Sequence, residues 1–110
     1  MGERSSSRLD RVLAAISDPT RRAILARLAD SDARVTDVAD AFPISLNSTS
    51  KHIRALEAAG LVRRVVRGRE HILSLEAAPL AHVAAWTDHY RAFWSEQLAS
   101  LEAFVTGGQT

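Results

Sequence analysis

A chain of 110 residues, 46% hydrophobic and without cysteine, supports one compact domain and excludes disulfides, thiolate metal sites and cysteine nucleophiles. The opening MGERSSSRLDR has no secretory h-region and no run of about 18 apolar residues occurs, so a soluble, cytoplasmic protein with no membrane span is expected. The net charge of +1 hides a segregation: residues 45–75 carry six Lys and Arg against two Glu, residues 76–110 one Arg against four carboxylates. Such a basic middle is either a polyanion footprint or a chance cluster of solvated arginines.

Residues 1–7 are polar and Ser-rich, and a disordered tail is expected there and at 106–110, with the folded domain over 8–105. Leu9, Val12, Leu13 and Ile16 predict a first short helix. A second follows from the N-cap Asp18 and from Pro19 at the first helical position, and it buries Ile24, Leu25 and Leu28 before ending near Asp30. Arg21 and Arg22 sit near its start, against the dipole preference, and either meet an anion or are solvated. After a polar loop, DSDAR, Thr36 is expected to cap a short third helix that turns Val38, Ala39 and Phe42 inward and stops before Pro43.

The fourth helix lies in SLNSTSKHIRALEAAGLV, with Ser45 as cap and Gly60 just past its end. Leu46, Thr49, Ile53 and Leu56 form its expected buried stripe. The opposite face, Asn47, Ser48, Ser50, Lys51, His52 and Arg54, contains no carboxylate, whereas solvated helix faces usually mix signs. Two short helices joined by a tight turn, the second with a cationic outer face, make a helix-turn-helix over residues 36–59. Two β-branched runs follow, LVRRVV and EHILSL, joined at Arg67-Gly68-Arg69, where Gly68 supplies the positive φ of a tight hairpin. A basic-tipped hairpin behind a recognition helix is a wing.

Residues 78–105 predict a long final helix opened by Pro79. Leu80, Val83, Trp86, Tyr90, Phe93, Trp94, Leu98, Leu101 and Val105 recur along it at spacings of three and four. That stripe is wider than one small core can cover and reads as a dimer interface, with packing inside the monomer as the alternative. The expected fold is therefore mainly α with a small β-hairpin: four helices, two strands and a fifth helix, in a winged helix-turn-helix.

AISDPTRRAILARL, VTDVADAFPISLNSTSKHIRALEAAGLVRRVVRGREHILSL and the tail with Trp86, Tyr90 and Trp94 resemble the ArsR family of winged helix-turn-helix repressors over residues 9–104. The tail looks most like the metal-independent branch. The resemblance implies a homodimer whose first and last helices form the interface, here Leu9, Val12 and Leu13 with Val83, Trp86, Tyr90, Phe93, Trp94, Leu98 and Leu101. It also implies an inverted-repeat operator in double-stranded DNA, released when a small-molecule or protein inducer binds.

The chain departs from the metal-sensing members. The arsenic and cadmium sensors use cysteines in the helix before the turn, which here reads VTDVADAF. The zinc and nickel sensors carry Asp and His pairs on the last helix, which here offers only His82, Asp88 and His89. His82 and His89 are seven residues apart, about 10 Å along a helix, and cannot share one ion within a chain. No metal and no cofactor is expected, and a site bridging two chains is the metal-responsive alternative.

Recognition helices present N-terminal residues to base edges and later basic residues to the backbone. Asn47 suits adenine, Ser48 several bases, and Lys51 guanine or a phosphate. Ser45 caps and can add a phosphate contact; His52 either bonds to the scaffold or meets a phosphate; Arg54 serves the backbone or a surface pair. Arg67 and Arg69 at the wing tip complete the expected DNA set. Catalysis is not expected: Asp88 and His89 are adjacent and point about 100° apart, so they form no dyad, and no phosphate loop, GxSxG or HExxH occurs. The remaining rival is a protein-interaction module whose basic wing meets an acidic partner.

Overall fold

The computed structural model describes residues 2–107, with side chains from Ser7 onward; Met1 and residues 108–110 of the expected tails lie outside the described residues. The elements are α1 (Gly2–Ile16), α2 (Pro19–Asp30), β1 (Ala33–Arg34), α3 (Val35–Ala41), α4 (Leu46–Ala58), β2 (Val62–Arg67), β3 (Glu70–Leu75) and α5 (Leu80–Gly107). Two boundaries differ from expectation, because α1 is helical from Gly2 and α5 runs through Gly107. Once a helix is nucleated by packed residues, each added residue costs little, so polar ends extend it.

The loop DSDAR contains a strand that the sequence conceals. Ala33 pairs with Leu73 and Arg34 with Ile72, so the hairpin becomes a three-stranded antiparallel sheet, ordered β1-β3-β2. Two residues carry no readable alternation, and only the buried Ala33 marks the contact. α3 also starts earlier than expected, with Arg34 rather than Thr36 at the N-cap. The Asp37 carboxylate accepts the Arg34 backbone N–H at 3.3 Å and its guanidinium at 3.0 Å. A guanidinium has no acceptor, so only this half of a capping box exists.

α4 is closed at both ends. The Ser45 hydroxyl accepts the Ser48 N–H at 3.1 Å. At the other end Leu61 N–H donates to Leu56 C=O at 2.9 Å and Gly60 N–H to Glu57 C=O at 3.0 Å. That pair of bonds, with Gly60 at φ +77°, is a Schellman motif, and its accompanying apolar contact joins Leu56 and Leu61, both fully buried. The hairpin turn is Gly68-Arg69 with positive φ at Gly68 alone, the pattern of a type II′ turn.

The core draws on every element but α5: Val12 and Ala15 of α1, Ile24 and Leu28 of α2, Ala33, Val38, Ile53, Leu56, Leu61, Val62 and Leu73. Two expectations reverse here. Val12, assigned to a dimer interface, is 1% exposed in the monomer core, and Val83 is half-buried against that core. Leu46, assigned to the buried stripe of α4, is 57% exposed; the stripe begins at Thr49, three residues later.

α5 is 28 residues long, about 42 Å, and contains no buried residue. Leu80 and Val83 pack against the core and α1 lies alongside, but from Trp86 onward the helix projects away. The radius of gyration is 19.0 Å, against about 13 Å for a compact chain of this size. Ile53→Ala should destabilise the fold by about 2–5 kcal/mol through lost burial and a residual cavity. Leu46→Ala should stay within about 0.5 kcal/mol, since its side chain already faces water. Urea unfolding of the two variants checks both.

Candidate nucleic-acid interface

The arginines divide by what they touch. Arg21 donates to the Ala14 and Ala15 carbonyls at 3.2 and 3.4 Å, and Arg22 to those of Ile16 and Ser17 at 2.7 and 3.0 Å. Both satisfy the carbonyl end of α1, where a cation is favoured. Arg34 is held by Asp37 and by Glu70 at 3.4 Å. Arg63 pairs with Glu76 at 3.3 Å. Arg64 makes a two-pronged pair with Glu57, at 2.7 and 3.2 Å, and donates to His71 Nδ1, which ties the base of the wing to α4.

Four basic side chains of the 45–75 segment remain. Lys51, Arg54, Arg67 and Arg69 are exposed and make no ion pair with another described residue. Asn47, Lys51 and Arg54 stand at i, i+4 and i+7 and share one face of α4. Asn47 is exposed and Ser48 half-buried, its hydroxyl accepting from that of Ser45 at 3.1 Å. Arg67 and Arg69 flank the hairpin tip.

Between α4 and the wing lies an open groove of about 300 Å³, lined on its α4 side by Leu46 and Ser50, on the wing by Arg69 and Glu70, and by Arg34 and Thr36 beneath. Arg69 thus approaches the start of α4, whereas Arg67 does not line the groove.

His52 does not share the outward face. Arg21 Nε donates to its Nδ1 at 3.3 Å, so that nitrogen is the acceptor and the ring proton sits on Nε2. The Asp18 carboxylate lies 3.8 Å from the same nitrogen, too far for a hydrogen bond. His52, expected among the DNA contacts, is therefore turned to the scaffold, where it fixes α4 against α2. Sequence spacing places it beside Lys51 but cannot show Arg21, 31 positions away, reaching it. Leu46 was missed for a different reason: its spacing to Ile53 fits the buried stripe.

The apolar residues assigned to dimerisation stay uncovered: Trp86, Tyr90, Phe93, Trp94, Leu98 and Leu101 are each between 42% and 66% exposed, and Phe104 joins them. Leu9 and Leu13 are half-buried on α1. Trp86 and Tyr90 meet edge to face at 5.7 Å. Among the described residues no group of three His, Asp or Glu could hold a metal ion; Asp88 is paired with Arg91 at 3.4 Å. No described helix is long and apolar enough to cross a membrane.

A short helix, a turn, an outward-facing helix bounded by caps and a basic-tipped hairpin define a winged helix-turn-helix protein. A helix-turn-helix domain model matches residues 16–65. The chain is 37% identical over 96 residues to the HTH-type transcriptional regulator Rv2034 of Mycobacterium tuberculosis, covering 87% of each. It is 36% identical over 78 residues to the transcriptional repressor SdpR of Bacillus subtilis, covering 71% of this chain and 87% of that one. The crystal structure of an ArsR family transcriptional regulator superposes with a TM-score of 0.76 at 36% identity, over 82% of this chain and 93% of the other. An ArsR-like regulator from Rhodococcus gives 0.70 at 34% identity, over 90% and 93%. The chain belongs to the ArsR family of winged helix-turn-helix transcriptional regulators.

Two N-terminal carboxylates set an acid limit on this frame. The Asp18 carboxyl is held below the usual carboxylate range, chiefly by the Arg21 backbone N–H it accepts, and Asp37 chiefly by the Arg34 guanidinium. A pKa lowered by folding stabilises the protein fully above the unfolded value and is lost as pH falls through the folded one. Stability should therefore hold down to about pH 4, the ordinary aspartate value, and decline below it. Asp18→Asn and Asp37→Asn should each flatten that decline in urea titrations between pH 6 and pH 3.

Proposed function

We propose that the chain is a homodimeric repressor that grips an inverted-repeat operator through α4 and the wing, and that a small-molecule or protein inducer releases it. The observation that carries this reading is the sorting of cations: on α4 and the wing, those that make no ion pair with another described residue are exposed on the outward face and the hairpin tip. Solvated arginines clustered by chance would find the nearby carboxylates, as Arg63 and Arg64 do. Repression is the sense suggested by the resemblance to SdpR.

In this reading Asn47 and Ser48 read base edges, Ser45 and Lys51 contribute at the same end of the helix, and Arg54, Arg67 and Arg69 meet the backbone. Phosphate contacts hold register, while base contacts carry sequence. Each phosphate contact releases condensed counterions, so losing one lowers the log–log salt slope by roughly 0.9. Arg69→Ala should lower the slope by about 2 in a symmetric dimer and weaken all duplexes alike. Asn47→Ala should leave the slope nearly unchanged and cost about 1–3 kcal/mol per half-site on the selected operator alone. Binding isotherms on selected and scrambled duplexes across a salt series test this, and salt-independent binding, or preference for an acidic protein, would replace the DNA reading.

The dimer rests on the uncovered stripe of α5, since exposed large apolar patches on a small domain mark association. Sedimentation should give twice the chain mass of 12.0 kDa at micromolar concentration. Trp94→Asp should return the monomer and weaken DNA binding with it, because two half-sites are then no longer engaged together. Trp86 and Trp94 also make the inducer accessible to experiment, as a ligand seated by α5 would alter their fluorescence.

A further inference from the structure

We propose that Leu46 is a specificity-determining residue, packing on the 5-methyl group of a thymine in each half-site. The proposal rests on α4 being the recognition helix.

Leu46 occupies the first position of α4, where a docked helix comes nearest to base edges. It is 57% exposed and takes no part in the core, which the helix reaches through Thr49, Ile53 and Leu56. Its exposure serves no capping role either, because the Ser45 hydroxyl closes the helix end. Local packing thus leaves the side chain unexplained.

Its surroundings choose the occupant. Asn47 follows it, Ser50 lies one turn on, and Arg69 of the wing lines the same groove, where the Glu70 carboxylate is paired with Arg34. An apolar point beside an exposed amide, a hydroxyl and a guanidinium that pairs with no described carboxylate suits a surface that is apolar at one point and anionic at its edge. The major-groove edge of an A·T pair has that form, with the thymine methyl as its one apolar group and phosphates on either side. An apolar protein segment would leave Arg69 and Lys51 without counter-charges. The other exposed large hydrophobics lie on α5 and on the wing at Val65 and Val66, so Leu46 is a single apolar point on its helix face.

The test removes the methyl from the DNA and leaves the protein intact. Duplexes selected by the full chain from a random pool are rebuilt with deoxyuridine for thymine, one symmetric pair of positions at a time. Uracil keeps the hydrogen-bonding edge and loses only the methyl. Burying one such group contributes about fourfold in affinity per half-site and so about fifteenfold for both. At one symmetric position the native chain should show this loss, and Leu46→Ala should bind the thymine duplex correspondingly less well and be indifferent to uracil there. The proposal is overturned if every thymine can be replaced without effect, or if Leu46→Ala keeps the full uracil penalty. It is also overturned if Leu46→Ala alters self-association while uracil sensitivity is unchanged, which would make the residue a protein contact. Should no duplex be selected at all, the DNA-binding role of α4 falls first and takes this inference with it; binding that is tight but blind to uracil removes the inference alone.

Discussion

Burial of Thr49, Ile53 and Leu56 along one side of α4 is the constraint on which the rest of the molecule depends. All three have no exposed surface, and a helix held so firmly on one side has a fixed opposite side. Thr49 is polar, yet its hydroxyl donates to the Ser45 carbonyl at 3.0 Å, so its burial leaves no group unsatisfied. The N-cap and the Schellman turn then set the length of the helix, and Leu61 carries the chain into the sheet. The direction of Asn47, Lys51 and Arg54 follows from these contacts. None of the three side chains hydrogen-bonds to another described residue, so substituting them should have little effect on the fold.

Around that helix, charge is used in two ways. Arginines near helix ends or carboxylates are consumed internally: Arg21 and Arg22 on α1, Arg34 on Asp37 and Glu70, Arg64 on Glu57. These pairs are partly exposed, and each contributes only modestly to stability. Their larger effect is on orientation. The Arg64 pair joins β2 to α4, and the Arg34 contacts join β1 and α3 to the start of β3. The wing is therefore attached at its base and free at its tip, where Arg67 and Arg69 make no ion pair with another described residue.

Much of this was legible in the sequence wherever the signal was local. Asp18, Pro19, Ser45, Gly60 and Gly68 each mark a backbone need that few other residues meet, and each stands where its chemistry placed it. What stayed hidden depended on contacts distant in sequence or on elements too short for periodicity. β1 is two residues long and exists only because β3 offers an edge. His52 and Arg21 look like independent surface residues until the fold brings them to 3.3 Å. Leu46 and Val12 failed in opposite directions for one reason. Periodicity finds an apolar stripe but not where the neighbouring element stops, so Leu46 lies beyond the core's edge and Val12 lies within it.

α5 stands apart from the domain that it completes. Its first turn is anchored by Leu80 and Val83 and α1 runs beside it, while the aromatic positions beyond face water. α1 in turn ends on carbonyls held by Arg21, and Arg21 also holds His52 of α4. In the proposed dimer, the packing of one α5 against its partner would fix the separation of the two α4 helices. One base step is about 3.4 Å, so a sliding movement of that size at the paired helices would carry one reading face off its half-site. A ligand that favours such a shifted pairing need not touch DNA or compete with it. It needs only to bind the shifted arrangement more tightly than the DNA-competent one, because only differential affinity moves an equilibrium between states. In that proposed reading the long exposed stripe of α5 would serve two ends, holding the dimer together and giving an inducer a surface through which to change its spacing.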